Sequence, residues 1–292
     1  MMSIIRDFTE AVVKDESGKL GISVGYEVMG RKPYTEYMSN KAWDKFKREM
    51  SEKHIAEFGK GSGSEMDDSP GNVPKMASMI SSSRMIYMLS KEIDGFSFEA
   101  KRHTAVGGEA NLDGYLHRDD RIFYVESKCR EPYNHETIEE LSVKYQAVLA
   151  YLRETKNAFD CVMERISDRK MRVAFFCDGK PINGFDIKQM ICHLLGIAAY
   201  HLRAEEEPKP ISFLYLLYDP RELEFPEKTS AEILEIYEKT CQAALGYRFE
   251  ELFGHIIDYL VDVKNLPSKH RETLKRLFTF DLCSQYDYHS KF

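Results

Sequence analysis

Asp113, Glu126 and Lys128 are the residue types that hold a hard cation beside a phosphate, and the segment Asn111 to Lys128 brings them together. Val, Ile, Phe and Tyr fill Ile122 to Val125, as a strand prefers. Asp119-Asp120 reads as a tight turn between Arg118 and Arg121. An even-length loop centred there sets Asp113 directly opposite Glu126, with Cβ atoms about 4.5–5.5 Å apart. Two carboxylates at that spacing can share one cation; without it they repel and one pKa rises. Alternation puts Lys128 on the face of Glu126 and Ser127 on the other. An odd-length loop would spoil the pairing. A second reading is a surface Asp with an exposed Glu–Lys pair, but Tyr124 and Val125 argue for a buried strand, where bare carboxylates need a partner.

The surrounding elements must position this trio. Leu20 to Val28 reads as a short strand, and Asn40 to Phe58 as a helix carrying Lys41, Lys45, Lys47, Arg48 and Lys53 beside Trp43. That basic stripe reads as a solvated face or a surface contacting a nucleic-acid backbone. Residues 59–74 are loop, rich in Gly, Ser, Pro and Asp, and contain Glu65. Lys75 to Ile93 has a helical apolar stripe interrupted at Ser81-Ser82-Ser83. Phe96 to His103 is a strand, and His135 to Arg153 has helical spacing. Met171 to Cys177 is a strand, Phe185 to Arg203 a helix, and Ile211 to Tyr218 an apolar strand buried on both faces. Beyond Asp219-Pro220 the pattern is helical, over Ser230 to Gly246, Tyr247 to Lys264 and Ser268 to Phe278. The order predicts an α/β fold with a mixed central sheet covered by helices on both faces.

Composition bounds the function. The 292 residues are 43% hydrophobic and 30% charged, with a net charge of -7, as expected of one elaborated domain. The pI near 5.8 carries no global nucleic-acid signature. No apolar run is long enough to span a membrane, and the N-terminus lacks a signal-peptide form. The six scattered cysteines form no CxxC pair and are expected to be reduced thiols of a cytoplasmic protein.

Asp113 followed by Glu126-Ser127-Lys128 resembles the PD-(D/E)XK phosphodiesterase superfamily, whose fold is restriction-endonuclease-like. The wording Ala110-Asn-Leu-Asp113, Tyr124-Val-Glu-Ser-Lys128, Gly63-Ser-Glu65 and Pro74-Lys-Met-Ala-Ser-Met-Ile-Ser-Ser-Ser83 is similar to a bacterial branch described as restriction endonucleases. The resemblance covers residues 60–220, with 1–58 and 225–292 as N-terminal and C-terminal helical extensions of a single domain. Leu112 stands where the eponymous proline is found.

The resemblance implies a nuclease that hydrolyses phosphodiester bonds, most simply in DNA, with Mg²⁺ or Mn²⁺. Asp113 and Glu126 would ligate the ion, the carbonyl of Ser127 would add a ligand, and Glu65 is the candidate third acid, with Glu99 and Glu109 as competitors. Lys128 would orient the attacking water or stabilise transition-state charge. Gln146, with Lys144 as its rival, resembles the extra polar residue on the following helix. A homodimer fits such a nuclease. The competing expectation is a catalytically silent binding or regulatory subunit with the same fold.

Overall fold

The apolar run Ile122–Val125 becomes the centre of the fold. The computed structural model describes residues 22–23, 37–38, 40–60, 65–69, 74–78, 81–129, 138–155, 159–181, 186–219 and 229–292. Two short strands, β1 (Ile22–Ser23) and β2 (Tyr37–Met38), pair antiparallel. The helix expected over 40–58 is two helices, α1 (Asn40–Glu49) and α2 (Glu52–Phe58). Ser51 separates them, because its side chain caps α2 by accepting from the His54 N–H. The serine run plays the same part further on. Lys75–Ala77 is a single 3₁₀ turn, and Ser81 caps α3 (Ser82–Ser90) by accepting from the Arg84 N–H.

The central sheet uses β3 (Ser97–His103), β4 (Glu109–His117) and β5 (Ile122–Lys128), antiparallel to one another. A second group follows: β6 (Ile138–Ser142), β7 (Phe159–Arg165), β8 (Lys170–Cys177) and β9 (Lys180–Pro181), with α4 (Gln146–Glu154) packed on β7. Strands β6 and β7 flank β8 in a separate antiparallel sheet. Here the helix expected from His135 starts only at Gln146, because Ile138–Ser142 pairs with Lys170–Ala174. The chain then passes through α5 (Ile187–Leu202), capped by Asp186, to β10 (Ile211–Leu217). It ends in α6 (Ser230–Gly246), α7 (Phe249–Asp258), a π-helical turn at Tyr259–Val263, α8 (Arg271–Leu277) and β11 (Phe278–Cys283).

The strand order β11-β10-β5-β4-β3 is mixed, with β10 parallel to β5 and β11 parallel to β10. The C-terminal segment therefore supplies an edge strand as well as helices. Each strand divides its side chains between two cores. Tyr124, Phe213, Tyr215 and Leu217 face the α5 side, whereas Phe123, Val125, Leu214 and Leu216 face the side of α1 and α3. β5 and β10 are buried along their whole length, as strands covered on both faces must be. Gly196 is what lets α5 lie so close: a Cβ there would sit 2.7 Å from the Ala110 Cβ and 3.0 Å from the Arg102 Cβ.

Candidate active site

The Asp119-Asp120 turn sets the register expected from sequence up to a point. His117 pairs with Ile122, Leu116 with Phe123, Tyr115 with Tyr124 and Gly114 with Val125. The ladder stops there, one residue short of Asp113 and Glu126. The cause lies in β3. Glu99 has φ +55, a left-handed conformation that a non-glycine residue adopts only under constraint. Phe98 pairs with Gly114 and Ala100 with Leu112, so Glu99 and Asp113 lie opposite each other inside an interrupted ladder. Alternation slips at this step in both strands. Leu112 and Ala100 pack on the α5 side, whereas Leu116 and Phe98 pack on the other. This is a local break in the pleat with no residue inserted, and it re-aims the side chains of Glu99 and Asp113. Gly114 permits it, since a Cβ there would fall 2.3 Å from the Phe96 ring.

The regular opposition expected of Asp113 and Glu126 is thus replaced by a turned Asp113. Its Oδ2 accepts from the Ser127 N–H at 2.7 Å, and the Ser127 hydroxyl lies 2.7 Å from the same oxygen. That hydroxyl also approaches the Ser82 carbonyl at 3.3 Å, which anchors the turn to the start of α3. Burial and the Glu126 charge push the Asp113 carboxyl up to about 7, against the Lys128 charge and the Ser127 donors.

Glu126 lies under α5, against His193, and is 1% exposed. Its Oε1 lies 2.8 Å from Lys128 Nζ and its Oε2 2.9 Å from His193 Nε2. These are close charge contacts, yet among the described residues neither oxygen receives a donor at hydrogen-bonding angles. Burial pushes the Glu126 carboxyl up, but Lys128 and His193 outweigh it and hold the carboxyl below its ordinary value. Lys128 Nζ also donates to the Gln189 carbonyl oxygen. Gln189 and His193 are one helical turn apart on α5, so a single helix face covers Glu126 and Lys128.

Two further carboxylates complete the site. Glu65 is buried, and its Oε1 meets Lys75 Nζ at 3.1 Å. Glu99 is pushed up to about 8 by burial and by the charges of Asp113, Glu65 and Glu126, against Lys75. Glu65, Glu99, Asp113 and Glu126 therefore share one electrostatic neighbourhood. Glu109 is exposed at the start of β4, 3.7 Å from His103 Nε2, and lines the cleft beside Gln189 and His193 rather than meeting the other acids. Gln146 and Lys144 are exposed at the start of α4, with Lys144 Nζ over the Tyr145 ring at 5.0 Å. The polar residue that touches Lys128 is Gln189, not Gln146.

Sequence reasoning missed Gln189, His193 and Lys75 and left Glu99 as a competitor. The i, i+4 spacing of Gln189 and His193 was a signal for a shared helix face, but only the fold shows which strand that face covers. Beside them runs a cleft of about 340 Å³, lined among others by Tyr145, Asp186, Gln189, Cys192 and His193.

Among the described residues no three His, Cys, Asp or Glu side chains converge tightly enough to form a metal site as they stand. The chemistry of the donor set nevertheless suits a hard divalent ion. All four acids offer oxygen, the donor that Mg²⁺ and Mn²⁺ prefer. Burial and mutual repulsion raise Asp113 to about 7 and Glu99 to about 8, so a bound cation would compete with protons there. The six cysteines are free, and no described helix is long and apolar enough to cross a membrane.

Compared with known proteins, the chain matches no family model, no curated protein and no solved structure.

Proposed function

We propose that this protein is a metal-dependent nuclease that hydrolyses phosphodiester bonds in DNA, with a restriction-endonuclease-like core. The observation that carries this reading is the mutual influence of four acids at the end of the central strand: Glu65, Asp113 and Glu126 all oppose ionisation of Glu99, and Lys128 lies 2.8 Å from Glu126. Such crowding is costly as architecture and useful as a cation site. Asp113 and Glu126 would hold Mg²⁺ or Mn²⁺, with Glu65 or Glu99 as the further acid. When bound, that ion supplies a water of lowered pKa and neutralises charge on the phosphate. Lys128 then acts as an electrophile: its ammonium, fixed between Glu126 and Gln189, places positive charge where the transition state gains negative charge. Gln189 and His193 keep Lys128 and Glu126 from collapsing into a free-rotating pair and exclude water from one side.

One observation favours a second reading. Glu126 has basic neighbours of its own in Lys128 and His193, as a metal-free binding or regulatory module would need. The two separate on a cleavage assay with end-labelled single-stranded and duplex DNA. Cutting that requires Mg²⁺ or Mn²⁺, stops with chelator and is lost in Lys128→Ala supports the nuclease. A folded protein that cuts neither substrate with either ion supports the binding module.

A further inference from the structure

A second surface on the same helix carries the opposite charge. Lys101, Arg102, His103, Tyr200, Arg203 and Ala204 line a pocket of about 420 Å³ where the edge strand β3 meets the C-terminal end of α5. No acid lines it. Glu109, close to His103, and the exposed Glu205 to Glu207 mark its borders. Lys101, His103 and Arg203 are exposed, and Tyr200 is 46% exposed. The basic residues of α1 and α2 offer a contrast, since Lys45, Lys47 and Lys53 there all meet carboxylates.

Arg102 gives the pocket a rigid floor. Its guanidinium carbon lies 4.3 Å from the Tyr200 ring centre, 4.8 Å from that of Tyr115 and 5.3 Å from that of Tyr124. Its Nε donates to the Tyr124 hydroxyl at 3.3 Å, and that hydroxyl is 3.0 Å from His201 Nε2. Burial, Arg102 and His117 push the His201 imidazole down to about 4, so it is neutral at pH 7 and Arg102 carries the charge. A planar cation layered on tyrosines, with further cations and a half-exposed ring at the rim, is built for an anion joined to a flat aromatic group.

We propose that this pocket binds a nucleic-acid strand, with a phosphate on Arg102, Arg203 and Lys101 and a neighbouring unpaired base against Tyr200. It rests on the nuclease reading for its purpose but not for its test. Tyr124 and Glu126 share a face of β5 two residues apart. Tyr200 lies seven residues beyond His193 on α5, about 10 Å along the axis. That is about three nucleotides at the spacing of a duplex strand.

The experiment is fluorescence anisotropy in EDTA, with no metal present, using labelled oligothymidylate, duplex DNA of the same length and heparin as a sugar polyanion. Wild-type protein is expected to bind oligothymidylate more tightly than duplex. Tyr200→Ala should weaken oligothymidylate about ten-fold and leave heparin unchanged. Lys101→Gln with Arg203→Gln should lower the slope of log affinity against log salt by about 1.4, at about 0.7 per lost phosphate contact. All three substitutions are of solvent-exposed side chains, and circular dichroism checks the fold. Equal losses for heparin and oligothymidylate in Tyr200→Ala, or unchanged binding in both variants, would overturn the proposal. So would absence of oligothymidylate binding by the wild type. Because no metal is present, such a failure leaves the cleavage assay free to succeed, and the reverse also holds.

Discussion

Replacing Asp113 with Asn should flatten the pH dependence of stability. In the fold this carboxyl sits at about 7, against an ordinary value near 3.8, because burial and Glu126 oppose its ionised form. The folded state therefore binds the proton more tightly than the unfolded state. Stability from this group is fully present below pH 3.8 and is lost as pH rises through 7. The whole difference is on the order of 4 kcal/mol, and the part lost between pH 5 and pH 8 is about 3 kcal/mol at about 1.4 kcal/mol per pH step. Glu99, at about 8, extends the same loss upward. The two acids oppose each other across the interrupted ladder, so they titrate as a pair and share the total. The assay is urea unfolding in EDTA at pH 5, 6, 7 and 8, for wild type and Asp113→Asn. Wild type should lose stability along this series, and the variant should lose about 2–3 kcal/mol less. Asn still offers an oxygen to the Ser127 N–H, so the contacts of the turn persist. Parallel profiles for the two proteins would refute the claim that burial and Glu126 raise the Asp113 carboxyl.

Other outcomes follow from the same geometry. Gln189→Leu removes the acceptor for Lys128 without touching a proposed ligand; cleavage should fall about 10- to 100-fold while the unfolding midpoint changes little. Glu126→Ala should cost about 3–5 kcal/mol in urea unfolding, because it leaves Lys128, 8% exposed, without its nearest counter-charge. Gly196→Ala should destabilise by about 1–3 kcal/mol, since its Cβ would push α5 away from Ala110 and Arg102. A stable, unchanged Gly196→Ala protein would mean that α5 lies further from the sheet than described.

The central sheet was legible where one signal dominated. Ile122–Val125 and Ile211–Leu217 are too apolar and too short for anything but buried strands, and both lie within the sheet. The turn at Asp119-Asp120 fixed the register through Gly114 and Val125. It could not reveal the break in the ladder, because nothing in the residue name of Glu99 announces φ +55. β6 was hidden by ambiguity. Ile138 and Leu141 fit a helical stripe as well as a strand, and the partner that decides, Met171 opposite Leu141, is 30 residues away. β11 carried a readable signal in the alternation of Phe278, Phe280 and Leu282, but the helical spacing of the preceding residues masked it. In the site, the acids and Lys128 were readable as types at a spacing. Gln189 and His193 reach them only through the packing of α5 on β4 and β3, which local sequence does not encode.

In the proposed function, Glu65, Glu99, Asp113 and Glu126 form a cation site that is partly protonated until an ion arrives. Calorimetric titration of Mn²⁺ in two buffers of different ionisation enthalpy tests it directly, since the difference in heat counts the protons released. At pH 6.5, below the raised values of Asp113 and Glu99, binding should release between one and two protons, and release should shrink as pH passes about 8. Glu126→Gln should abolish the binding. No Mn²⁺ binding by the wild type, or binding that releases no proton and survives Glu126→Gln, would contradict the account.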